Sequence, residues 1–572
     1  MRRLTAFLMP FTAGVPVAHA ADPILPLAEV QPGMSCTGLS VIKGTAVSSF
    51  DVEIVDVLPG GNATVSGPRI LIRVSGPAVD ATGIGPGFSG SPIYCNGRNA
   101  GAISESVGEY GNKAALATPI EQIIGTPVDP PPATRADRTH AASIARTARP
   151  LAALTVGGLS PSLGRRVSTA ARKAGRTVIQ VPTSGGGAGI PPQTLVPGSA
   201  AAASYTSGDI VLGSVGTVAY TDGPNVWLFG HSVDAAGPRA PFLQDARVFS
   251  VINQPLALPD ATTFKLALPG NNLGRVGNDA TATVGKLGQQ PPPFPMQVDT
   301  KDDDTGTGRS VRVQVADEAS VGNPIGDISP FTIAGSLAVG QAAQAALGGN
   351  LPPRLSGSMC VRMKWREVKG PISTCFRYSG SSVSAEEGGT GVVDLMTADF
   401  QTIASLIGSF TFRPIHVEDV KVAIHLRRGL RQSFMTSGRA TPARPGGTSR
   451  VTLNLANAGG GRDTLETTVP VPSRTKPGRR IISVVGTGLD DPAAASEIVL
   501  ELFGDEENPE AEEKALAGEP GPRTAAELAD EVEGLERFSG LRFRVGGRRA
   551  KALQVAGRRI SGRVEIPLRV RR

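Results

Sequence analysis

The sequence predicts a mainly β protein of several domains, and three observations carry that prediction. A chain of 572 residues has room for three or more domains. Aromatic residues make up only 4% of it, while 71 Gly and 47 Pro punctuate it throughout, a balance that disfavours helices and suits many short strands joined by turns. Segments of alternating polarity recur along its length, from Val52-Glu53-Ile54-Val55-Asp56-Val57 and Ile70-Leu71-Ile72-Arg73-Val74 to Val451-Thr452-Leu453-Asn454-Leu455.

Residues 1–21 have the makeup of an export signal. Arg2 and Arg3 precede a mostly apolar run from Leu4 to Val17, and Ala18-His19-Ala20 supplies the small-x-small cleavage pattern. The apolar part contains Pro10 and is too short for a permanent anchor, and no later run of about eighteen apolar residues follows. The expectation is a secreted or cell-envelope protein without an integral membrane segment after cleavage. Four cysteines agree: Cys36 and Cys95 fall in one segment, Cys360 and Cys375 in another, and two local disulfides, Cys36–Cys95 and Cys360–Cys375, are expected. There is no Cys-x-x-Cys pair and the five histidines are scattered, so neither a metal site nor a cofactor is expected. The formal charge of +7 is small for this length, and no basic patch with interleaved aromatics occurs, which argues against a nucleic-acid partner.

After the signal, residues 22–127 read as one strand-rich unit. Val128-Asp129-Pro130-Pro131-Pro132 opens a polar, Arg- and Ala-rich linker over 128–150. A second β unit is read over 151–349, including Ile210–Tyr220, a turn at Asp222-Gly223-Pro224-Asn225 and a strand running to His231; it continues through Ile325–Phe331 to Leu337. Residues 350–500 read as sandwich-like β modules. Residues 501–572 begin with an acidic run, pass through an amphipathic helix over Ala525–Leu535, and end in a basic tail with strand-like alternation.

The most informative stretch is Gly83-Ile84-Gly85-Pro86-Gly87-Phe88-Ser89-Gly90-Ser91-Pro92-Ile93-Tyr94-Cys95. A nucleophilic serine needs its hydroxyl in a cleft and backbone N–H groups aimed at the developing oxyanion. A glycine two positions earlier lets the chain bend so that its N–H and that of the serine converge. Gly-x-Ser-Gly also arises by chance in a glycine-rich chain, but here a hairpin follows, with apolar runs joined through Asn96-Gly97.

Chymotrypsin-like proteases arrange their nucleophile in this way, and the stretch resembles the SpoIVB family, the stage IV B sporulation serine peptidases. Their Gly-x-Ser-Gly-Ser-Pro-Ile core is matched by Gly87, Ser89, Gly90, Ser91, Pro92 and Ile93, and Phe50–Val55 looks like the family strand before it. The resemblance implies a chymotrypsin-like double β-barrel peptidase spanning roughly residues 27–345, with Ser89 as nucleophile and the N–H groups of Gly87 and Ser89 as oxyanion hole. Ser91, where the strand begins, is the lesser candidate.

A serine hydroxyl needs a base. His140 lies in the linker, and His416 and His425 sit at strand-like spacing in the distal β region. His231 follows Leu228-Phe229-Gly230 in a strand-turn-strand that looks like the family's histidine segment. A lone histidine at a strand end is more often structural, but two family segments each holding one expected residue favour a role for it. In the family histidine precedes serine; here Ser89 comes first, which implies barrels circularly permuted about the 128–150 linker. The family also places an acid directly before a proline upstream of the serine, where this chain has Ser75-Gly76-Pro77. Asp80 is the nearest substitute, with Asp222 and Asp234 flanking the histidine strand. The expectation is an exported serine endopeptidase acting on a protein or peptide; the rival expectation, from the missing acid and the long distal modules, is a secreted β-rich scaffold whose protease fold has lost activity.

Overall fold

The computed structural model describes residues 21–59, 67–107, 111–129, 153–173, 177–183, 189–233, 237–253, 263–321, 329–348, 351–381, 391–410, 412–429, 431–457, 460–487, 521–535, 540–555 and 558–571. Residues 1–20 of the segment read as an export signal, nearly all of the 128–150 linker, His140, Asp234 and the acidic run lie outside the described residues.

Strands β1 (Ser35–Val41), β2 (Val47–Leu58), β3 (Arg69–Ser75), β4 (Pro92–Cys95), β5 (Arg98–Ser106) and β6 (Ala114–Pro119) close a barrel in the order β1-β2-β3-β6-β5-β4. Alternation builds it: in β2, Phe50, Val52 and Ile54 are buried while Asp51 and Glu53 are exposed. Asn96 and Gly97 both take positive φ, 51° and 75°, as a two-residue hairpin turn requires, and Cys95 pairs with Arg98. Helix α1 (Ile120–Ile124) follows β6 and buries Ile120 and Ile123 against Trp227 and Val284 of the next unit.

The second unit is one continuous sheet. Its elements are β7 (Leu154–Gly157), α2 (Pro161–Lys173), β8 (Val178–Val181), β9 (Ala200–Gly208), β10 (Val211–Asp222), β11 (Asn225–Leu228), β12 (Gly237–Pro238) and β13 (Phe242–Asn253). There follow β14 (Thr263–Asp279), β15 (Thr283–Leu287), β16 (Pro293–Asp302), β17 (Gly308–Ala316) and α3 (Pro330–Ala346). The last are β18 (Arg354–Trp365), β19 (Pro371–Ser381), α4 (Val392–Gly408) and β20 (Val417–Arg428). Within the sheet the pairing of β9 with β10 closes a ring, β9-β13-β14-β15-β11-β10. The short β12 pairs with β14, the other strands extend outward from β9 and β10, and α3 and α4 cover the extension, with Phe331 set edge-on between Phe294 and Phe400.

Three sequence readings change here. The stretch from Pro330 to Leu337, taken as β, begins a helix: Ser329 caps it by accepting from the Thr332 N–H, Pro330 occupies the first turn, and an alanine-rich run follows. Val392–Gly408 is likewise helical, with buried residues on most of its circumference. The boundary near 350 is not a domain boundary, because β20 pairs parallel with β16 and carries β18 and β19 into the same sheet.

The sandwich comprises β21 (Arg431–Ala440), β22 (Thr448–Asn457), β23 (Arg462–Pro470) and β24 (Gly478–Thr487), with β25 (Gly540–Val545), β26 (Arg548–Gln554), β27 (Arg558–Ser561) and β28 (Arg563–Val570). Its two sheets run β23-β22-β21-β27 and β26-β25-β24-β28. The basic tail is therefore half of this sandwich and not an appendage to it, which shifts the boundary read at 500. Between β24 and β25 the chain forms α5 (Ala525–Gly534), opened by a Thr524–Glu527 capping box and packed on β19. Both expected disulfides are present: Cys36–Cys95 joins β1 to β4 with Cα atoms 4.4 Å apart, and Cys360–Cys375 links facing residues of β18 and β19 at 4.1 Å.

Candidate functional site

The serine loop lies where the first barrel meets the ring. Gly87 and Gly90 both hold positive φ, 96° and 89°, so the chain turns sharply on either side of Ser89. A Cβ on Gly90 would sit 1.9 Å from the Thr217 carbonyl oxygen, so this position admits glycine only. The N–H groups of Phe88, Gly90 and Ser91 are spent on the carbonyls of Gly85, Ile103 and Phe88. Those of Gly87 and Ser89 donate no hydrogen bond among the described residues. Two open donors flanking a half-buried serine are what an oxyanion site requires.

Thr217 of β10 clamps this loop onto the ring. Its N–H donates to the Ser89 carbonyl at 2.8 Å, its hydroxyl to the Gly87 carbonyl at 3.1 Å, and its own carbonyl accepts from the Phe229 N–H at 3.2 Å. One residue thus ties the serine loop to the segment that carries His231. Beneath Thr217 lies Lys265, fully buried, its Nζ 2.6 Å from Ser40 Oγ, 3.3 Å from Thr217 Oγ1 and 4.4 Å above the centre of the Phe88 ring. Ser91 is buried in the same network and donates to Ser40 Oγ at 2.9 Å, so it faces away from the cleft. No carboxylate pairs with Lys265 among the described residues, and burial lowers its pKa to about 7.

The strand leading to the histidine ends at Leu228, three residues earlier than the sequence suggests. Phe229 and Gly230 then turn the chain with φ of 64° and 63°, an uncommon conformation for a phenylalanine that costs of order 1–3 kcal/mol. The turn delivers His231 into the interior, 7% exposed, with its ring stacked on that of Phe229. Nδ1 lies 2.7 Å from the Ser232 carbonyl oxygen. A carbonyl can only accept, so Nδ1 carries the proton and Nε2 presents its lone pair. Nε2 is buried and makes no hydrogen bond among the described residues, neither to Ser89 nor to any other group. Burial holds the ring's pKa below its ordinary value, against the opposing pull of the Ser232 bond and of Asp279.

Pro86, Gly87, Ser89, Phe229 and His231 line one cleft together with Ala153, Ser214 and Val215. The cleft is small and partly open, about 230 Å³ counting the space open to solvent.

Of the acids named from the sequence, neither Asp80 nor Asp222 is bonded to His231, and Asp234 lies outside the described residues. Asp80 is at the surface, its carboxylate 2.8 Å from the Lys113 ammonium, which holds its pKa below the usual range. Its placement before the nucleophile loop in sequence does not bring it to the ring, because Val79-Asp80 turn back on the Gly76 carbonyl. Asp222 is exposed at the β10–β11 hairpin. The acid that shapes the histidine segment is Asp279 at the end of β14, 3% exposed, which accepts from the Val233 N–H at 2.8 Å and from the Thr283 hydroxyl at 2.6 Å. Nothing in the sequence near His231 or Ser89 marks it, since β14 and β15 bring it in from 48 residues away. His416 is bound by Glu367 and His425 by Asp303, and neither lines the cleft.

Comparison of the chain with family models, with curated proteins and with solved structures finds no match.

Proposed function

We propose that this chain is an exported serine endopeptidase of the SpoIVB type. Ser89 Oγ attacks the scissile carbonyl of a protein or peptide chain. His231 Nε2 takes the hydroxyl proton and returns it to the leaving amine, and the N–H groups of Gly87 and Ser89 receive the oxyanion. The Ser232 carbonyl takes the place of the orienting acid: it holds the tautomer but offers the imidazolium a dipole in place of a full charge, so the chemical step is slow relative to a full triad. The observation that carries this reading is a buried, unpartnered Nε2 on the wall of the same cleft as Ser89. Two disulfides, and no helix among the described residues long and apolar enough to cross a membrane, are compatible with a place outside the cytoplasm.

A second reading has its own observation: among the described residues no carboxylate holds Nδ1, and a non-catalytic scaffold would tolerate that. A fluorophosphonate probe separates the two. An active site is labelled at Ser89, loses labelling in Ser89→Ala, and reacts at least ~10³-fold more slowly in His231→Ala. Absence of labelling in the intact protein would leave the scaffold reading.

A further inference from the structure

The sandwich concentrates charge that the net value of +7 conceals. Residues 431–487 and 540–572 contain 20 Lys and Arg against three acids, Asp463, Glu466 and Glu565. The intervening 488–539 contain 16 Asp and Glu against three Lys and Arg.

The β26-β25-β24-β28 sheet turns much of that charge to one side. Ile482, Val484, Leu541, Phe543, Val545, Ile566, Leu568 and Val570 face the core, so the alternate residues of the same strands face outward. Across the three strands β25-β24-β28 the outward rows are Arg542–Val485–Arg563 and Arg544–Ser483–Glu565, with Arg549 of β26 opposite Arg544. Farther along, Ile481 pairs with Pro567 and Arg479 with Arg569. The patch spans about 20 Å along the strands and about 14 Å across them. Its one acid, Glu565, is paired with Arg563 at 3.1 Å, both side chains exposed. Down the middle strand, Ile481 and Val485 are 49% and 37% exposed, among the few large apolar side chains at the surface.

We propose that this face docks the protein on an anionic lipid bilayer. The guanidinium groups meet lipid phosphates, for which their planar fork is suited, and Ile481 and Val485 enter the headgroup region. The aliphatic pair within the arginine field favours a bilayer over a linear polyanion, which would leave both side chains in water. The face has no aromatic residue to stack on bases, which disfavours nucleic acid. This inference is independent of the peptidase reading.

The test is co-sedimentation of the full-length protein with vesicles of phosphatidylcholine mixed with phosphatidylglycerol, against phosphatidylcholine alone. Binding to the anionic vesicles only, reversed by about 0.5 M salt, is expected. Each positive charge near such a surface is worth about fivefold in affinity, so Arg479→Gln, Arg544→Gln, Arg563→Gln and Arg569→Gln combined should weaken binding ~10²–10³-fold. The same four positions changed to Lys control for folding and should bind within a few-fold of wild type. Ile481→Ser with Val485→Ser should weaken vesicle binding several-fold. Failure to bind anionic vesicles, or unchanged binding by the Gln variant, would overturn the proposal. So would equal competition by soluble polyphosphate with no effect of the Ile481 and Val485 changes, which would point to a linear polyanion. Binding that arises only after Asp505, Glu506, Glu507, Glu510, Glu512 and Glu513 are neutralised would identify the chain's own acidic stretch as the occupant, and would also overturn it.

Discussion

His231 and Lys265 are both buried bases, and burial acts on both in the same direction, against the charged form. The general-base role proposed for His231 requires a neutral ring, and the ring's pKa lies below the ordinary 6.5. The rate of fluorophosphonate labelling is therefore expected to stay level as pH falls through 6.5 and to drop only in more acid solution; a midpoint at or above 6.5 would contradict the buried geometry. For Lys265 the folded pKa is about 7 against a usual 10.5, so between those values the unfolded chain binds more protons and stability rises with pH. Below pH 7 both states are protonated and the cost of the buried ammonium is felt in full. The melting temperature of wild type relative to Lys265→Met should accordingly rise from pH 7 toward pH 10, whereas a constant difference would show that Lys265 stays charged in the folded state, with no lowering of its pKa. The acids give a third expectation. Asp80→Asn removes only a surface pair with Lys113, worth little in solvent, and should leave labelling within about twofold. Asp279→Asn loosens the turn that presents the ring, and a displacement of about 1 Å is enough for a loss near 10²-fold. The reverse ranking would return the orienting role to Asp80.

At the scale of elements, the site depends on one strand, β10, holding two turns in register. Gly90→Ala would drive a Cβ into the Thr217 carbonyl and strain a left-handed residue, so it should destabilise by about 1–3 kcal/mol and abolish labelling even where the fold survives. The disulfides stabilise pairs of neighbouring strands. By loop length, opening Cys36–Cys95, 59 residues apart, should cost about 4 kcal/mol and opening Cys360–Cys375, 15 apart, about 3 kcal/mol, measured by denaturant unfolding of the Cys→Ser pairs. Elements announced by local chemistry were legible in the chain: the Asn96-Gly97 hairpin, the alternating β2, β3 and β22, and the capped helix at Ala525. Helices α3 and α4 were not. Their windows are apolar on nearly all sides because each is buried between the sheet and the other helix, which erases the 3.6-residue signal that a half-exposed helix carries.

At the scale of the molecule, the closed barrel and the ring within the larger sheet meet along the apolar contacts of Ala102, Ile120 and Ile123 with Tyr220, Trp227 and Val284, and the cleft opens beside that contact. The mainly β class, the two disulfide pairs and the turn around Ser89 were determined by the sequence alone, because each rests on composition or on local sequence signals. The partner of His231 Nδ1, the burial of Lys265, the place of Asp279, and the joining of 354–428 to the preceding sheet were decided only by tertiary structure. They depend on which strands lie side by side, and pairing such as that of β16 with β20, more than a hundred residues apart, is set by the fit of whole faces and leaves no mark on either strand by itself.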